Sequence, residues 1–174
     1  ELKDLVASAG PKAKAGLPQD AAKFGDVILI AVPYGALPQV GKDYAPLMKG
    51  KIVIDCGNAR EDRDGAITKD VETRGTGTTS AELLPGVRLV RAFNALSFQQ
   101  VRTQAWRTGE RIGIPIAAND KDAQQVAAQL VDDAGFEPVI VGGLDHAKDF
   151  DRGTAVYVKG LTAKQLREAL KLPQ

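Results

Sequence analysis

The sequence predicts an α/β protein with a doubly wound, parallel β-sheet. Five short runs are solidly apolar and rich in β-branched residues, which is typical of strands that a parallel sheet buries on both faces. Amphipathic stretches of helical period separate these runs, so strands and helices alternate along the chain. The 174 residues, of which 44% are hydrophobic and 26% charged, suffice for one domain with a sizeable core.

The five predicted strands are short and end at turn-forming or polar residues. The first, DVILIAVP, stops at Pro33, and the second, KIVIDC, runs into Gly57 and Asn58. The third, VRLVRAF, is followed directly by Asn94. The predicted ranges are 26–33, 51–56, 87–93, 112–118 and 137–143.

The stretches between the strands predict helices. The clearest covers 119–135 and has capping residues at both ends. Capping-box spacing between Thr79 and Glu82 predicts a short helix that begins at Thr79. Ser97 is predicted to cap the helix that follows the third strand. The other predicted helices cover 1–10, 18–24, 34–48 and 162–171.

The chain is predicted to divide at residue 144. Residues 1–144 hold the sheet and its helices, and residues 145–174 form a C-terminal connector and helix. The connector itself, 145–160, is polar and is predicted to be irregular. The charged run at 60–64 is predicted to be a solvated loop.

Composition and charge exclude several classes of function. The net charge is +1 with scattered basic residues, and aromatic residues are only 5%, so no nucleic-acid partner is expected. No apolar run is long enough to span a bilayer, so no membrane association is expected. One histidine and one cysteine cannot build a zinc site, and no metal is expected. The lone Cys56 cannot form an intrachain disulfide, which fits a cytoplasmic location.

Five segments, in a fixed order, resemble a known family. They are DVILIAVPYGALPQV, KGKIVIDCGNAREDRDG, LPGVRLVRAFNALSF, IPIAANDKDA and LVDDAGFEPVIVGGL. Together they resemble the NADP oxidoreductases that use the deazaflavin coenzyme (F-420). The chain is also similar to the cytosolic reductase domain of the six-transmembrane metalloreductases and, more distantly, to the N-terminal domain of pyrroline-5-carboxylate reductase. The resemblance covers nearly the whole chain and implies a Rossmann-like fold with NADP as the cofactor.

The resemblance also implies that the chain lacks the first β-α-β unit of this fold. In the family, a Gly-rich turn that binds the pyrophosphate lies N-terminal to the segments found here. No such turn follows a strand in this sequence, and the nearest glycine clusters, at 75–77 and 142–143, are interpreted as ordinary loop glycines. Without its first strand, the sheet would expose an apolar edge at 26–33. We therefore expect residues 1–174 alone not to form a stable monomer, and we expect the absent segment or a homo-oligomer, such as a dimer, to cover that edge.

Candidate cofactor-binding residues follow the first three predicted strands, because ligands of such sheets bind beyond the carboxyl ends of the strands. After the first strand they are Ala31, Val32, Pro33 and Tyr34, by similarity to a family loop that packs on the dinucleotide. The alternative is that Pro33 simply ends the strand. After the second strand comes Asn58, whose amide can bind a ligand or make an Asx turn.

The third strand adds Ala92 and Asn94. The resemblance matches a backbone group near Ala92 and the Asn94 side chain to the carboxamide of nicotinamide, which needs one donor and one acceptor. Phe93 is predicted to lie in the core. Cys56 is predicted to be a buried, inert thiol because no activating base is evident beside it. The sequence identifies no catalytic residue.

These residues favour an NADP(H)-dependent oxidoreductase that transfers hydride to or from a small redox substrate. No acid–base pair stands out, and hydride transfer to a flavin-like ring needs proximity more than proton relay. A flavin-like or deazaflavin acceptor is therefore preferred over an imine or carbonyl. The alternative is a non-catalytic dinucleotide-binding or interaction module, as a degenerate or truncated member of the family.

Overall fold

The computed structural model describes residues 2–173 and contains the five predicted strands. They form one sheet, and their order in the sheet is their order in the chain. Each strand lies inside its predicted run, so the prediction of five strands at these places is confirmed. The strands are β1 (Val27–Ile30), β2 (Ile52–Asp55), β3 (Arg88–Arg91), β4 (Gly113–Ala118) and β5 (Glu137–Gly142).

The sheet is parallel except between β3 and β4. β1, β2 and β3 run parallel to one another, and β4 runs parallel to β5. β3 and β4 are antiparallel, with Arg91 opposite Ala117, so the prediction of a fully parallel sheet is wrong at this pair. The chain between them does not cross back over the sheet, so β4 begins on the side of the sheet at which β3 ends. Consequently the carboxyl ends of β4 and β5 lie on the opposite side of the sheet from those of β1, β2 and β3.

Helices cover both faces of the sheet, as the predicted doubly wound fold requires. Alternate residues of β2 show this: Ile52 and Ile54 pack with the core on one face, and Val53 packs with the core on the other. In the described part of the chain the α-helices are α1 (Leu2–Ala9), α2 (Pro18–Phe24), α3 (Leu37–Met48), α4 (Glu61–Asp64), α5 (Ile67–Leu83), α6 (Phe98–Gln104), α7 (Lys121–Asp133) and α8 (Ala163–Ala169).

Most predicted helices are confirmed, together with their caps. The Ser97 hydroxyl accepts a hydrogen bond from the Gln100 N–H at 3.2 Å, and the Asp120 carboxylate accepts one from the Ala123 N–H at 2.9 Å. The predicted stretch 34–48 begins with a 3₁₀ helix, Tyr34–Ala36, before α3. The run 60–64, predicted as a loop, contains the short helix α4. Glu1 and Gln174, which end the outermost predicted segments, lie outside the described residues.

Helix α5 corrects two predictions about residues 75–82. The helix begins at Ile67, so Thr79 lies inside it and its hydroxyl donates to the Gly75 carbonyl at 2.9 Å instead of capping a new helix. Gly75 kinks α5, with φ of 78° and ψ of 161°. Gly77 allows close packing, because an added Cβ would stand 2.0 Å from the Leu144 carbonyl oxygen. The glycines at 75 and 77 are therefore a kink and a packing contact rather than loop glycines.

The segment 145–160 is better ordered than the sequence predicts. Its first part lies in a 3₁₀ helix, Leu144–Asp149, that packs along α5. Ala147 and Phe150 are fully buried beside β4, β5 and α8. This apolar packing lets the chain cross from the end of β5 to the opposite edge of the sheet. A domain boundary at residue 144 stays a prediction.

β1 forms an exposed, apolar edge of the sheet. Within residues 2–173 β1 pairs only with β2, as expected for a sheet without a preceding strand. Leu29 in β1 is 58% exposed, and Phe24 at the end of α2 is 90% exposed. That another segment or chain must cover this edge stays a prediction.

Candidate functional site

The candidate site lies at the carboxyl ends of β1, β2 and β3. These strands are parallel neighbours, so the three loops that follow them lie at the same edge of the sheet. Because β4 and β5 end at the opposite edge, their loops do not contribute. The predicted site residues belong to these three loops, at 31–34, 58 and 92–94.

A buried ion pair joins the ends of β2 and β3. Arg91 is 0% exposed and Asp55 is 1% exposed. The Arg91 Nη1 lies 2.6 Å from Asp55 Oδ2, and its guanidinium also donates to the carbonyls of Asp55 and Gly57 at 2.9 and 2.6 Å. Burial alone would lower the pKa of Arg91, but the carboxylates of Asp55 and Asp151 outweigh it and raise the pKa. The guanidinium therefore stays charged and ties the two loops together.

The same carboxylate anchors the loop after β1. Asp55 Oδ2 accepts from the Ser80 hydroxyl at 2.7 Å, and the Ser80 oxygen lies 2.8 Å from the Tyr34 hydroxyl. Tyr34 also donates to the Thr76 carbonyl at 3.2 Å. Burial raises the pKa of Tyr34, although the hydrogen bond with Ser80 opposes this. Tyr34 is thus a neutral, buried anchor between the β1 loop and helix α5.

Gly57 sits where these loops pack most tightly. An added Cβ would stand 3.0 Å from Asp55 Oδ1 and 3.1 Å from the Tyr34 ring. The Gly57 N–H donates to that same Asp55 oxygen at 2.8 Å. Glycine is therefore needed here for packing between loops, and Asp55 holds the loop in an Asx turn.

Asp151 lies in the segment after β5, and its side chain contacts residues at the carboxyl end of β3. The side chain accepts from the Thr76 N–H at 2.9 Å and from the Thr76 hydroxyl. Its Oδ1 also lies 3.6 Å from an Arg91 nitrogen and 3.4 Å from the Asn94 amide nitrogen. Asp151 is 8% exposed, so these donors, rather than water, satisfy most of its carboxylate.

Asn58 and Asn94 are in contact across the β2 and β3 loops. The Asn58 Nδ2 donates to the Asn94 carbonyl at 2.9 Å, and the Asn94 Nδ2 lies 3.4 Å from Asn58 Oδ1. Asn94 is only 1% exposed, yet its Oδ1 has no hydrogen-bond partner among the described residues. A buried acceptor without a partner is costly, and such atoms mark places where a ligand can bind.

The backbone before Asn94 has an unusual conformation. Phe93 has φ of 62°, in the left-handed region that costs a non-glycine residue about 1–2 kcal/mol. Its side chain packs against the core, which confirms the prediction that Phe93 lies there. This turn carries the chain out of β3 and into the loop that holds Asn94.

An open cavity of about 330 Å³ borders this network. Both side-chain partners of the Asn94 amide, Asn58 and Asp151, line it. Thr154 also lines it, and the Thr154 hydroxyl is buried without a partner in the described structure. Charged side chains of both signs surround the opening, among them Glu72, Lys148 and Arg152.

The structure brings some predicted site residues together and separates others. Asn58 and Asn94 are in direct contact, and Ala92 is buried between β3 and that contact. Tyr34 points its hydroxyl into the core, and the whole residue is buried. The exposed residues of the β1 loop are Ala31, Val32 and Pro33. The cofactor-binding role of all seven residues stays a prediction.

Sequence reasoning did not find Arg91, Ser80, Thr76 and Asp151 as parts of the site. The available signal was the pair of charged residues inside the otherwise apolar run VRLVRAF, Arg88 and Arg91, of which only Arg91 is buried. Its partner Asp151 lies 60 positions away in a segment predicted to be irregular. The alternative that Asn58 makes an Asx turn is not seen, since the Arg60 N–H that such a turn requires donates to Asp64 Oδ2 at 2.8 Å.

Cys56 is partly buried at the end of β2. Its thiol donates to the Ile30 carbonyl at 3.2 Å. Burial, and then the neighbouring Asp55 carboxylate, raise the pKa of this thiol. A raised pKa disfavours the thiolate, in agreement with the prediction of an inert cysteine.

Comparison with known proteins finds a family model that matches the N-terminal part of the chain. Residues 1–59 match the family described as NADP oxidoreductase, coenzyme F420-dependent. The resemblance to this family is confirmed. The matched residues include the β1 loop and the end of β2, two of the three elements that form the candidate site. No protein of curated function matches the chain.

Solved structures share the fold. A hypothetical protein, SMa0349 from Sinorhizobium meliloti, is 26% identical, with a TM-score of 0.78 over 92% of this chain and 78% of that chain. A protein from Arthrobacter sp. FB24, assigned as an F420-dependent NADP-reductase, is 17% identical with a TM-score of 0.58, over 76% of this chain and 62% of that one. A pyrroline-5-carboxylate reductase from Coxiella burnetii is 17% identical with a TM-score of 0.56, over 90% of this chain and 57% of that one. The chain thus spans less than two thirds of either reductase, and these two likenesses establish the Rossmann-like fold alone.

Across residues 2–173, the helices are too short or too polar for any of them to traverse a bilayer. Over the same residues, no group of three or more histidine, cysteine, aspartate or glutamate side chains could hold a metal ion.

Proposed function

We propose that this chain is the nucleotide-binding part of an NADP(H)-dependent oxidoreductase. It transfers hydride between NADP(H) and a small redox substrate, for which a flavin-like or deazaflavin ring is the favoured class. The proposal is supported by the family match, which is to NADP oxidoreductases, and by the chemistry of the site at the ends of β1, β2 and β3.

The observation that carries the proposal is the unpartnered oxygen of Asn94. This acceptor is buried at the carboxyl end of β3, where open α/β sheets bind their ligands. The carboxamide of nicotinamide offers N–H donors, so the residues present fit the group that the family implies. Asn94 and Asn58 would hold the nicotinamide end, and the β1 loop at 31–33 would lie along the rest of the nucleotide.

NADPH, when bound, supplies the hydride. The chain's own contribution is then to orient the nicotinamide and to keep the site rigid, because hydride transfer depends on alignment of the two reacting rings. The Arg91–Asp55 ion pair and the Tyr34–Ser80 contact fix the three loops relative to one another. The adjoining 330 Å³ cavity is the proposed place for the reacting part of the second substrate.

The described residues that line the cavity include no histidine, the side chain that most often donates a proton near neutral pH. The sole histidine, His146, lies on the surface and pairs with Asp149 at 2.9 Å, and it does not line the cavity. Reduction of an imine or carbonyl calls for a proton donor beside the reacting atom, whereas a flavin-like ring demands one less strictly. This favours a flavin or deazaflavin over an imine or carbonyl substrate.

The exposed edge of β1 supports a homo-oligomer, which we propose to be a dimer that works in the cytoplasm. Leu29 and Phe24 would be sheltered in such an assembly. Light scattering of the purified protein tests this part of the proposal. A dimer is expected, and a monodisperse monomer would refute it.

Fluorescence titration with NADPH, followed by a screen of acceptors, tests the proposed activity. We expect saturable NADPH binding and NADPH oxidation with free flavin or deazaflavin. Deuterium should leave one face of C4-deuterated NADPH, and a deazaflavin acceptor should retain it at carbon C5, whereas flavin N5 exchanges it with water. Binding without oxidation of any acceptor would favour a non-catalytic dinucleotide-binding module. Failure to bind NADPH would refute the proposal.

A further inference from the structure

We infer that Asp151 is a positioning residue that orients the Asn94 amide and so makes the site select a ligand with an N–H donor. This inference rests on the proposed function, because the ligand it concerns is the carboxamide of NADP(H). It adds to that function a residue from the segment after β5, far from the family match at 1–59.

The chemistry of a carboxylate fixes which end of the amide faces Asp151. An ionised carboxylate can only accept hydrogen bonds, so the NH2 of Asn94, and not its oxygen, turns toward Asp151 Oδ1, 3.4 Å away. The same NH2 lies 3.4 Å from the oxygen of Asn58. Both acceptors hold the amide nitrogen on one side, and the amide oxygen is left on the other side without a partner.

Asp151 itself is held firmly enough to impose this orientation. Thr76 donates to the carboxylate from both its N–H and its hydroxyl. The Arg91 guanidinium lies 3.6 Å away and adds electrostatic attraction within the protein interior. Since Asp151 is 8% exposed, water offers little competition for these contacts.

This orientation of the Asn94 amide predicts that the protein binds a ligand with an N–H donor more tightly than an analogue without one, and dissociation constants measure this preference. The Asn94 oxygen, which this orientation leaves without a partner in the described structure, accepts from the carboxamide NH2 of NADPH. The 3-acetylpyridine analogue of NADPH has a methyl group in place of that NH2 and would leave the oxygen unpaired. One buried hydrogen bond lost in this way weakens binding by about tenfold.

Replacing Asp151 with asparagine keeps the size and shape of the side chain but puts a hydrogen-bond donor in place of one carboxylate oxygen. In Asp151→Asn the new amide accepts from the Thr76 N–H with its oxygen, so its NH2 faces Asn94. The Asn94 amide then has one acceptor beside it, the Asn58 oxygen, and one donor from the new side chain, so its orientation is no longer fixed and the ligand can meet either its oxygen or its NH2. The preference for NADPH over the acetyl analogue should fall from about tenfold to about threefold.

The experiment measures the dissociation constants of NADPH and its acetyl analogue by fluorescence titration. It compares the wild-type protein with Asp151→Asn and with a matched control, Asp149→Asn, which makes the same chemical change on the surface of the preceding 3₁₀ helix. We expect the preference to persist in Asp149→Asn and to fall to about threefold in Asp151→Asn. An unchanged preference in Asp151→Asn would overturn the inference and leave the proposed function standing, whereas a wild-type protein that binds neither nucleotide would overturn both.

A second measurement needs no variant of Asp151. In the wild-type protein, the Asn94 side-chain NH2 can be assigned by its absence from the spectrum of Asn94→Ala. We expect a nuclear Overhauser contact from this NH2 to the Asp151 Hβ protons, unchanged when NADPH binds, because the NH2 and not the oxygen faces Asp151. A contact that is absent in the free protein, or that NADPH abolishes, would overturn the inference even if Asp151→Asn does not fold.

Discussion

Replacing Arg91 with methionine should destabilise the protein strongly. Met keeps much of the apolar stem but removes the charge that compensates Asp55, which is 1% exposed and lies 2.6 Å from the guanidinium. Removing one partner of a buried ion pair typically costs about 3–5 kcal/mol, since the other charge stays buried and unpaired. For a domain of this size, each kcal/mol lowers Tm by roughly 2–4 °C, so the expected fall in Tm is roughly 6–20 °C.

The assay is thermal unfolding followed by circular dichroism at pH 7, with two comparison variants. Arg88→Met removes an arginine from the same strand, but Arg88 pairs with Asp120 at the surface, with its side chain 34% exposed, so a far smaller change is expected. Arg91→Met combined with Asp55→Asn removes the unpaired charge. The new amide can accept from the Gly57 N–H with its oxygen and donate to the Ser80 hydroxyl oxygen with its NH2, in place of the bond that Ser80 now donates. The double variant should recover at least half of the lost Tm.

Two results would refute this reasoning. One is an equal loss of Tm in Arg91→Met and Arg88→Met, which would mean that burial of the ion pair is unimportant. The other is a double variant no more stable than Arg91→Met, which would mean that the unpaired Asp55 carboxylate is not the source of the loss.

Three further predictions concern single residues at the same edge. Cys56, with its raised pKa, should react with iodoacetamide at pH 7.5 more slowly than glutathione does, and equal or faster alkylation would contradict the burial argument. The guanidinium of Arg63 lowers the pKa of Asp64 to about 2, and the Asp64 carboxylate also accepts a hydrogen bond from the Gly35 N–H. The ionised carboxylate therefore stabilises the fold above about pH 4, and this stabilisation is lost as the pH falls toward 2. Asp64→Asn should therefore narrow the difference in Tm between pH 6 and pH 3, and an unaltered difference would count against this role. Gly57→Ala should lower the free energy of unfolding in urea by about 1–3 kcal/mol, because its Cβ would lie 3.0 Å from a carboxylate oxygen. Gly16→Ala, with its nearest contact at 3.5 Å, should leave the free energy of unfolding nearly unchanged. Similar losses in both variants would contradict the packing argument.

The strands could be predicted from sequence because a strand that is buried on both faces consists almost entirely of apolar residues. IVID and GIPIAA are buried at every position, and both were recognised as solid apolar runs. The direction of β4 could not be predicted in the same way. It depends on whether the chain between Arg91 and Gly113 crosses the sheet, and no residue pattern records that path.

Part of the site could also be predicted, since loops after parallel strands must share an edge. This logic found Asn58 and Asn94, which are in contact. It missed Asp151, because that residue reaches the site only through the packing of the 3₁₀ helix Leu144–Asp149 along α5. A polar segment whose apolar residues are widely spaced gives little sign of such packing, and Phe150 shows how much burial it conceals.

The central claim is that the buried Asn94 oxygen receives the nicotinamide end of NADP(H). The most direct test compares how wild-type protein and Asn94→Ala bind NADPH and 2′,5′-ADP, which has the adenine half of the cofactor and no nicotinamide. The account predicts that Asn94→Ala weakens NADPH by about tenfold and leaves 2′,5′-ADP unchanged. Equal weakening of both ligands, or of neither, would contradict it.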